Sequence, residues 1–153
     1  MSVRVQAEDF DPGRELARLS AAEIGGGAVA SFLGLVRGEG VRAMTLHHYP
    51  GMTERQLEII EGQARSRWPL LEVAIIHRFG RLLPGDNIVF VGVAARHRGA
   101  AFAACEFLMD WLKTAAPFWK LEETADGEHW VEAKAEDDAR TERWNRVKGP
   151  DER

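Results

Sequence analysis

Residues 73–98, VAIIHRFGRLLPGDNIVFVGVAARHR, hold two apolar, β-branched runs separated by Pro84-Gly85-Asp86. Val73 to Phe79 and Ile88 to Ala94 read as strands, and proline followed by glycine supplies the fixed and the permissive φ of a tight reversal. An antiparallel hairpin follows. The second strand delivers the chain into the basic loop Ala95-Arg96-His97-Arg98. Beyond it, Ala100 to Thr114 is apolar over most of its circumference, which predicts a well-buried helix.

Upstream, Val3 to Val5 can start a strand. Pro12 to Glu23 carries Leu16, Leu19 and Ala22 at helical spacing and stops at Gly25-Gly26-Gly27. Ala28 to Val36 is an apolar run that reads as a buried strand, broken by Gly38-Glu39-Gly40, so Arg37 stands at a strand end. Met44 to Tyr49 predicts another strand. After Pro50-Gly51, the spacing of Thr53 and Gln56 suggests a capping box for a helix running to Trp68, with Leu57, Ile60, Ala64 and Trp68 on its inner face and Pro69 as its stop.

Downstream, Pro117 bars continuation of the long helix. Phe118 to Glu123 and His129 to Ala133 flank Asp126-Gly127 and predict a second hairpin. From Glu136 the chain is polar, helical to about Trp144, and then a flexible tail over 147–153. No internal repeat is visible. Strands and helices mixed with antiparallel hairpins indicate an α/β or α+β domain rather than a regular doubly wound sheet.

At 153 residues, one domain over 1–146 is expected. With 45% hydrophobic and 29% charged residues the chain can bury a core and still present a polar surface. A formal net charge of −4 disfavours nucleic-acid or anionic-membrane binding by the chain as a whole, so an anion site must be a local pocket. The one cysteine, Cys105, cannot form an internal disulfide, and neither a signal peptide nor a membrane-spanning run is evident. A cytoplasmic location is expected.

Several residues invite chemistry. The 95–98 loop opens onto a helix start, where free backbone N–H groups favour an anion and arginine adds a planar fork for phosphate. Solvated loop charges are the plain alternative for Arg96 and Arg98. Lys113 falls on the last helical turn, where the helix dipole alone would favour a cation, and Lys120 follows beyond Pro117. Two amines brought together at that bend could instead depress each other's pKa and act as acid, base or nucleophile. Phe118 and Trp119 could wall a ring-binding pocket or simply pack in the core. His47 and His48, adjacent on a strand, point to opposite faces and cannot readily chelate one metal; His77 and His129 lack spacing to a second ligand. No metal or cofactor is expected. Cys105 reads as a small buried hydrophobe, and Gly25-Gly26-Gly27 as a helix stop rather than a phosphate loop.

The segments VASFLGLVR, LHHYPGMTE, RSRWPL, IHRFGRLLPGD, IVFVGV, AARHRGAAF, FLMDWLKTAAPFWK and HWVEA, spread from Ala28 to Trp144, resemble in order and spacing the large, catalytic subunits of molybdopterin synthase, the MoaE family. The resemblance implies an α/β hammerhead-type fold with an additional antiparallel β subdomain. It also implies a homodimer that binds a small ubiquitin-like sulfur carrier on each outer side, giving a heterotetramer. The implied reaction converts cyclic pyranopterin monophosphate to molybdopterin, each of two sulfurs arriving as the carrier's C-terminal thiocarboxylate.

By the same resemblance Lys113 and Lys120 are catalytic, Arg37, His97 and Arg98 bind substrate, Leu35, Val36, Leu121 and Glu122 are neighbouring pocket positions, and Phe32 and Met109 line the pocket. Leu35 stands where relatives can carry a lysine. These types suit the task, because a phosphate needs arginine and helix-terminus donors while sulfur transfer needs proton movement and oxyanion stabilisation. A helix joining Arg98 to Lys113 would separate them by roughly 22 Å, which suggests that His97 and Arg98 of one subunit complete the lysine pocket of the other. The carrier tail would enter as an extended Gly-rich strand. Two competing readings are a non-enzymatic module for a ubiquitin-like partner, with the lysines as interface charges, and an RNA-binding domain using the basic loop and Trp119. The overall acidity weighs against the second.

Overall fold

The computed structural model describes residues 2–131 and 135–145. The predicted tail over 147–153 and the end of the predicted strand at Ala133 lie outside the described residues. In chain order the elements are β1 (Val3–Gln6), α1 (Pro12–Leu19), β2 (Ala28–Leu35), β3 (Ala43–His48), α2 (Met52–Arg67), β4 (Leu70–Arg78), β5 (Gly80–Leu82), β6 (Asn87–Ala95), α3 (Arg98–Thr114), β7 (Phe118–Thr124), β8 (Gly127–Val131) and α4 (Ala135–Glu142), followed by a 3-10 turn, Arg143–Asn145.

The hairpin expected over 73–94 is present as β4 and β6, with Val73 opposite Val93 and Ile76 opposite Phe90. It forms the centre of a sheet ordered β1-β4-β6-β2, in which β1 alone runs parallel to its neighbour. The connection between β4 and β6 also contributes β5 to a second, antiparallel sheet ordered β5-β3-β7-β8. Gly85 at φ 90° allows the reversal, which Asp86 N–H closes on the Leu83 carbonyl at 2.9 Å.

Alternation along β6 decides which helix covers which face. Val89, Val91, Val93 and Ala95 pack with Leu57, Ala64, Phe107 and Leu108 of α2 and α3, whereas Phe90 and Ala94 join Leu19 of α1 on the other side. Leu19 reaches the sheet because position 92 is glycine: a Cβ there would stand 2.4 Å from Leu19 Cδ1. Each of these fully buried large side chains contributes about 1.5–3 kcal/mol.

Four expectations shift in detail. The first helix ends at Leu19, not Glu23, because the Ser20 hydroxyl donates to the Leu16 carbonyl at 2.7 Å and competes with the helical ladder. The capping box of α2 is not Thr53 with Gln56; the Glu54 carboxylate accepts from Gly51 N–H at 2.7 Å. Thr53 is instead fully buried. In the second hairpin the loop residues are Ala125 and Asp126, and Gly127, at φ 113°, opens β8. A two-residue turn on Asp126-Gly127 would need positive φ at both, and only the glycine adopts it.

The fourth correction concerns β2. It is not buried on both sides and edges but lies at the margin of the first sheet, with Val29, Phe32, Leu33 and Leu35 each at least 36% exposed. At the other end of the chain, Trp144 fastens the terminal helix to the core. Its indole N–H donates to the buried Asp110 carboxylate at 2.7 Å, and its ring meets Phe107 and Trp68 edge-on.

Candidate active site

The end of β2 is held by the 84–86 turn: Val36 N–H donates to the Asp86 carbonyl at 3.0 Å and Gly85 N–H to the Val36 carbonyl at 2.9 Å. Arg37 emerges directly from this clasp. An extra residue, Ile88, stands on β6 between the partners of Gly34 and Leu35, and this bulge bends the strand beside the cleft. Gly34 is required here, since a Cβ would come 2.7 Å from Val89 Cγ1 and 3.2 Å from the Phe32 ring.

Between this strand end, α3 and β7 lies a cavity of about 370 Å³. Arg37 reaches it from just beyond β2, Lys113 from α3 and Lys120 from β7, and Phe32, Leu35 and Met109 supply apolar walls. Lys113 sits on the last turn of α3, which closes with Ala115 N–H on the Trp111 carbonyl at 2.7 Å. The chain then bends through Ala116-Pro117 and enters β7, placing Lys120 back on the same cavity. The bend is anchored from α2: Thr53 Oγ1 accepts from Tyr49 N–H at 2.9 Å and donates to the Pro117 carbonyl at 3.3 Å.

Strand alternation divides the expected aromatic pair. Phe118 lines the cavity, while Trp119 points to the opposite face, 46% exposed, with Tyr49 at 6.0 Å between ring centroids. Leu121 pairs with Thr45 and Glu122 with Met44 further along β7, and neither borders the cavity. Val36 is buried at 3% exposure in a small cluster with Met44, Leu46 and Leu82, so it supports the site from behind.

His97 and Arg98 are not part of this cavity. They open α3 while Lys113 all but closes it, which separates them along the axis by roughly 22 Å. Both side chains are exposed at the far end of β2, where Gly27 N–H donates to the Ala95 carbonyl at 3.0 Å.

One lining residue carried no sequence signal of a functional role: His77, on β4. It is 7% exposed, and its ring stacks on Phe118 with centroids 3.7 Å apart. Nδ1 lies 2.8 Å from the Arg78 carbonyl, which can only accept, so the ring is the Nδ1–H tautomer. Burial, above all, then the charges of Lys120 and Lys113, push its pKa down to about 3. His47 and His48 diverge across β3, toward Trp130 and Phe79 respectively. Cys105 is buried in α3, and burial with the neighbouring Glu106 pushes its thiol up to about 11.

Three comparisons bear on this arrangement. The family model described as MoaE protein matches residues 5–115. The chain belongs to the MoaE family. It is 55% identical over 148 residues to a molybdopterin synthase catalytic subunit of Pseudomonas aeruginosa, covering 94% of this chain and 99% of the relative. Its structure is similar to that of the molybdopterin biosynthesis MoaE protein from Burkholderia ambifaria, with a TM-score of 0.83, 55% identity, and 95% and 99% of the two chains covered. A chain in a protein–protein complex of subunits 1 and 2 of molybdopterin-converting factor from Helicobacter pylori is alike at TM-score 0.72 and 19% identity, covering 88% of this chain and 92% of that one. That identity shows the fold alone. The mixed α/β architecture expected from the resemblance is therefore met, including the added antiparallel sheet of β5, β3, β7 and β8.

Proposed function

We propose that this chain is the catalytic subunit of a molybdopterin synthase, a sulfurtransferase that converts cyclic pyranopterin monophosphate to molybdopterin with sulfur from a thiocarboxylated carrier. The observation that carries the reading is the cavity onto which Arg37, Lys113 and Lys120 converge between apolar walls. Its volume of about 370 Å³ suits a pterin-sized molecule. The three cations suit its phosphate and the carrier's terminal thiocarboxylate. Lys113 is the principal acid/base or electrostatic catalyst at the thiocarboxylate, Lys120 assists, and Arg37 holds the anionic end of the substrate.

A second copy of the chain completes the site. Among the described residues β2 has one edge unpaired and its apolar side chains exposed, which suits antiparallel pairing with β2 of another subunit about a two-fold axis. Such pairing sets the Ala28 end of one strand beside the Leu35 end of the other. Eight residues of strand span about 23 Å, close to the roughly 22 Å along α3 between Arg98 and Lys113. His97 and Arg98 of the partner subunit thus arrive at the cavity from which their own lysines are remote.

A small ubiquitin-like carrier docks on each subunit, giving a heterotetramer, and threads its extended C-terminus toward the lysines. That the 55% identical relative is named a catalytic subunit of the synthase supports a partner subunit. Residues 1–146 act as one functional domain. Among the described residues no helix is long and apolar enough to cross a membrane, and the setting proposed is the cytoplasm.

The reading is tested by mixing the purified protein with thiocarboxylated carrier and the cyclic precursor and assaying dithiolene product. Product should form, and folded Lys113→Ala should lose at least about 100-fold in rate. No product, or near-normal turnover by Lys113→Ala, would contradict it.

A further inference from the structure

The described side chains that line the cavity are unbalanced in their hydrogen-bonding chemistry. Among the described residues, Arg37, Lys113 and Lys120 end in cations that only donate, and the other lining side chains apart from His77 are apolar, with the Met109 thioether a weak acceptor at best. Cations satisfy phosphate, carbonyl and thiocarboxylate oxygens. They cannot satisfy the amino and ring N–H groups of a pterin, and a buried donor left without an acceptor costs most of its desolvation penalty.

His77 supplies what the cations lack. With Nδ1–H committed to the Arg78 carbonyl at 2.8 Å, Nε2 carries the ring's lone pair and makes no other hydrogen bond among the described residues. The ring is fixed on both counts, by that bond and by the 3.7 Å stack on Phe118, which itself lines the cavity. A mobile imidazole would lose conformational freedom on binding; this one is set in advance. Burial and the two lysines keep it from becoming a fourth cation, so the acceptor persists across the neutral range.

Resting on the function proposed above, we propose that His77 Nε2 is the acceptor that recognises an N–H group of the pterin ring, making His77 a specificity-determining residue of the substrate site. Its role is orientation. The cations draw in the anionic end of the substrate, and His77 fixes which way the bicyclic ring lies against Phe32 and Met109.

Two variants separate recognition from packing. His77→Phe keeps a ring for the Phe118 stack and deletes the acceptor; His77→Gln restores an acceptor near the Nε2 position. For the complete synthase acting on the cyclic precursor, His77→Phe should raise KM by about 10-fold or more with kcat within about 3-fold, and His77→Gln should recover most of the loss. In equilibrium titrations, an oxidised pterin without phosphate should bind His77→Phe more weakly by a similar factor, while inorganic phosphate binds as it does to the unaltered protein.

In the unaltered protein, nitrogen NMR should show the His77 Nε2 resonance moving when the oxidised pterin is added and staying put with phosphate. Unchanged KM and pterin affinity in His77→Phe would overturn the proposal, as would an equal loss of phosphate binding or a loss confined to kcat. If His77→Phe does not fold, a silent Nε2 resonance on pterin addition overturns it equally. Failure of the unaltered synthase to form dithiolene product would sink the proposed function, whereas the pterin titration and the NMR decide the role of His77 by themselves.

Discussion

His77 couples the chemistry of the cavity to the acid limb of the stability profile. Its ordinary pKa near 6.5 falls to about 3 in the folded chain, first because burial penalises the charged ring and then because Lys120, Lys113 and His48 repel a further charge, against the opposing bond to Arg78. Between those two values the unfolded chain binds a proton that the folded chain does not. Stability therefore rises with pH across the window: the contribution is complete above about 6.5 and is lost as pH falls, with a limiting slope of about 1.4 kcal/mol per unit. Urea denaturation at pH values from about 4 to about 7 should give a flatter dependence for His77→Phe than for the parent, and parallel curves would refute the assignment. His77 falls within the segment IHRFGRLLPGD, but nothing in that segment assigns it a role. A lone histidine inside an apolar strand has the same sequence appearance whether it is packing or recognition, and only the stack on Phe118 and the proximity of two lysines distinguish them.

At the scale of elements, the bend between α3 and β7 is what turns Lys113 and Lys120 from a helix end and a strand position into neighbours on one cavity. Pro117 made the bend legible in the sequence; its anchor was not. Thr53 read as a helix cap because of its position after Pro50-Gly51, yet its hydroxyl links Tyr49 N–H to the Pro117 carbonyl across a long sequence separation. Glu54 takes over the capping instead. Thr53→Val, which keeps the shape and deletes both bonds, should cost about 1–3 kcal/mol in chemical denaturation and should lower product formation more than a distant substitution of equal destabilisation. Activity that merely follows stability would show that the bend does not depend on this anchor. Turn chemistry located the β4–β6 hairpin because proline and glycine restrict φ locally, while the one-residue shift of the β7–β8 turn to Ala125-Asp126 depended on which residue could adopt positive φ.

At the scale of the whole molecule, the apolar run of β2 was misread for an instructive reason. Val29, Phe32, Leu33 and Leu35 look like the interior of a single chain, but an apolar pattern reports only that a surface avoids water, not whose atoms cover it. The second subunit proposed on this edge would account both for the pattern and for the remoteness of His97 and Arg98 from the lysines on α3 and β7. The proposed sulfur-transfer site would then be a property of the assembly. Mixing inactive Lys113→Ala chains with inactive His97→Ala chains under conditions of subunit exchange tests this most directly. Each mixed dimer would contain one intact site, so dithiolene formation should return to about one quarter of the unaltered level at equal mixing. Activity no higher than the average of the two parents, despite verified exchange, would contradict a site built across the dimer.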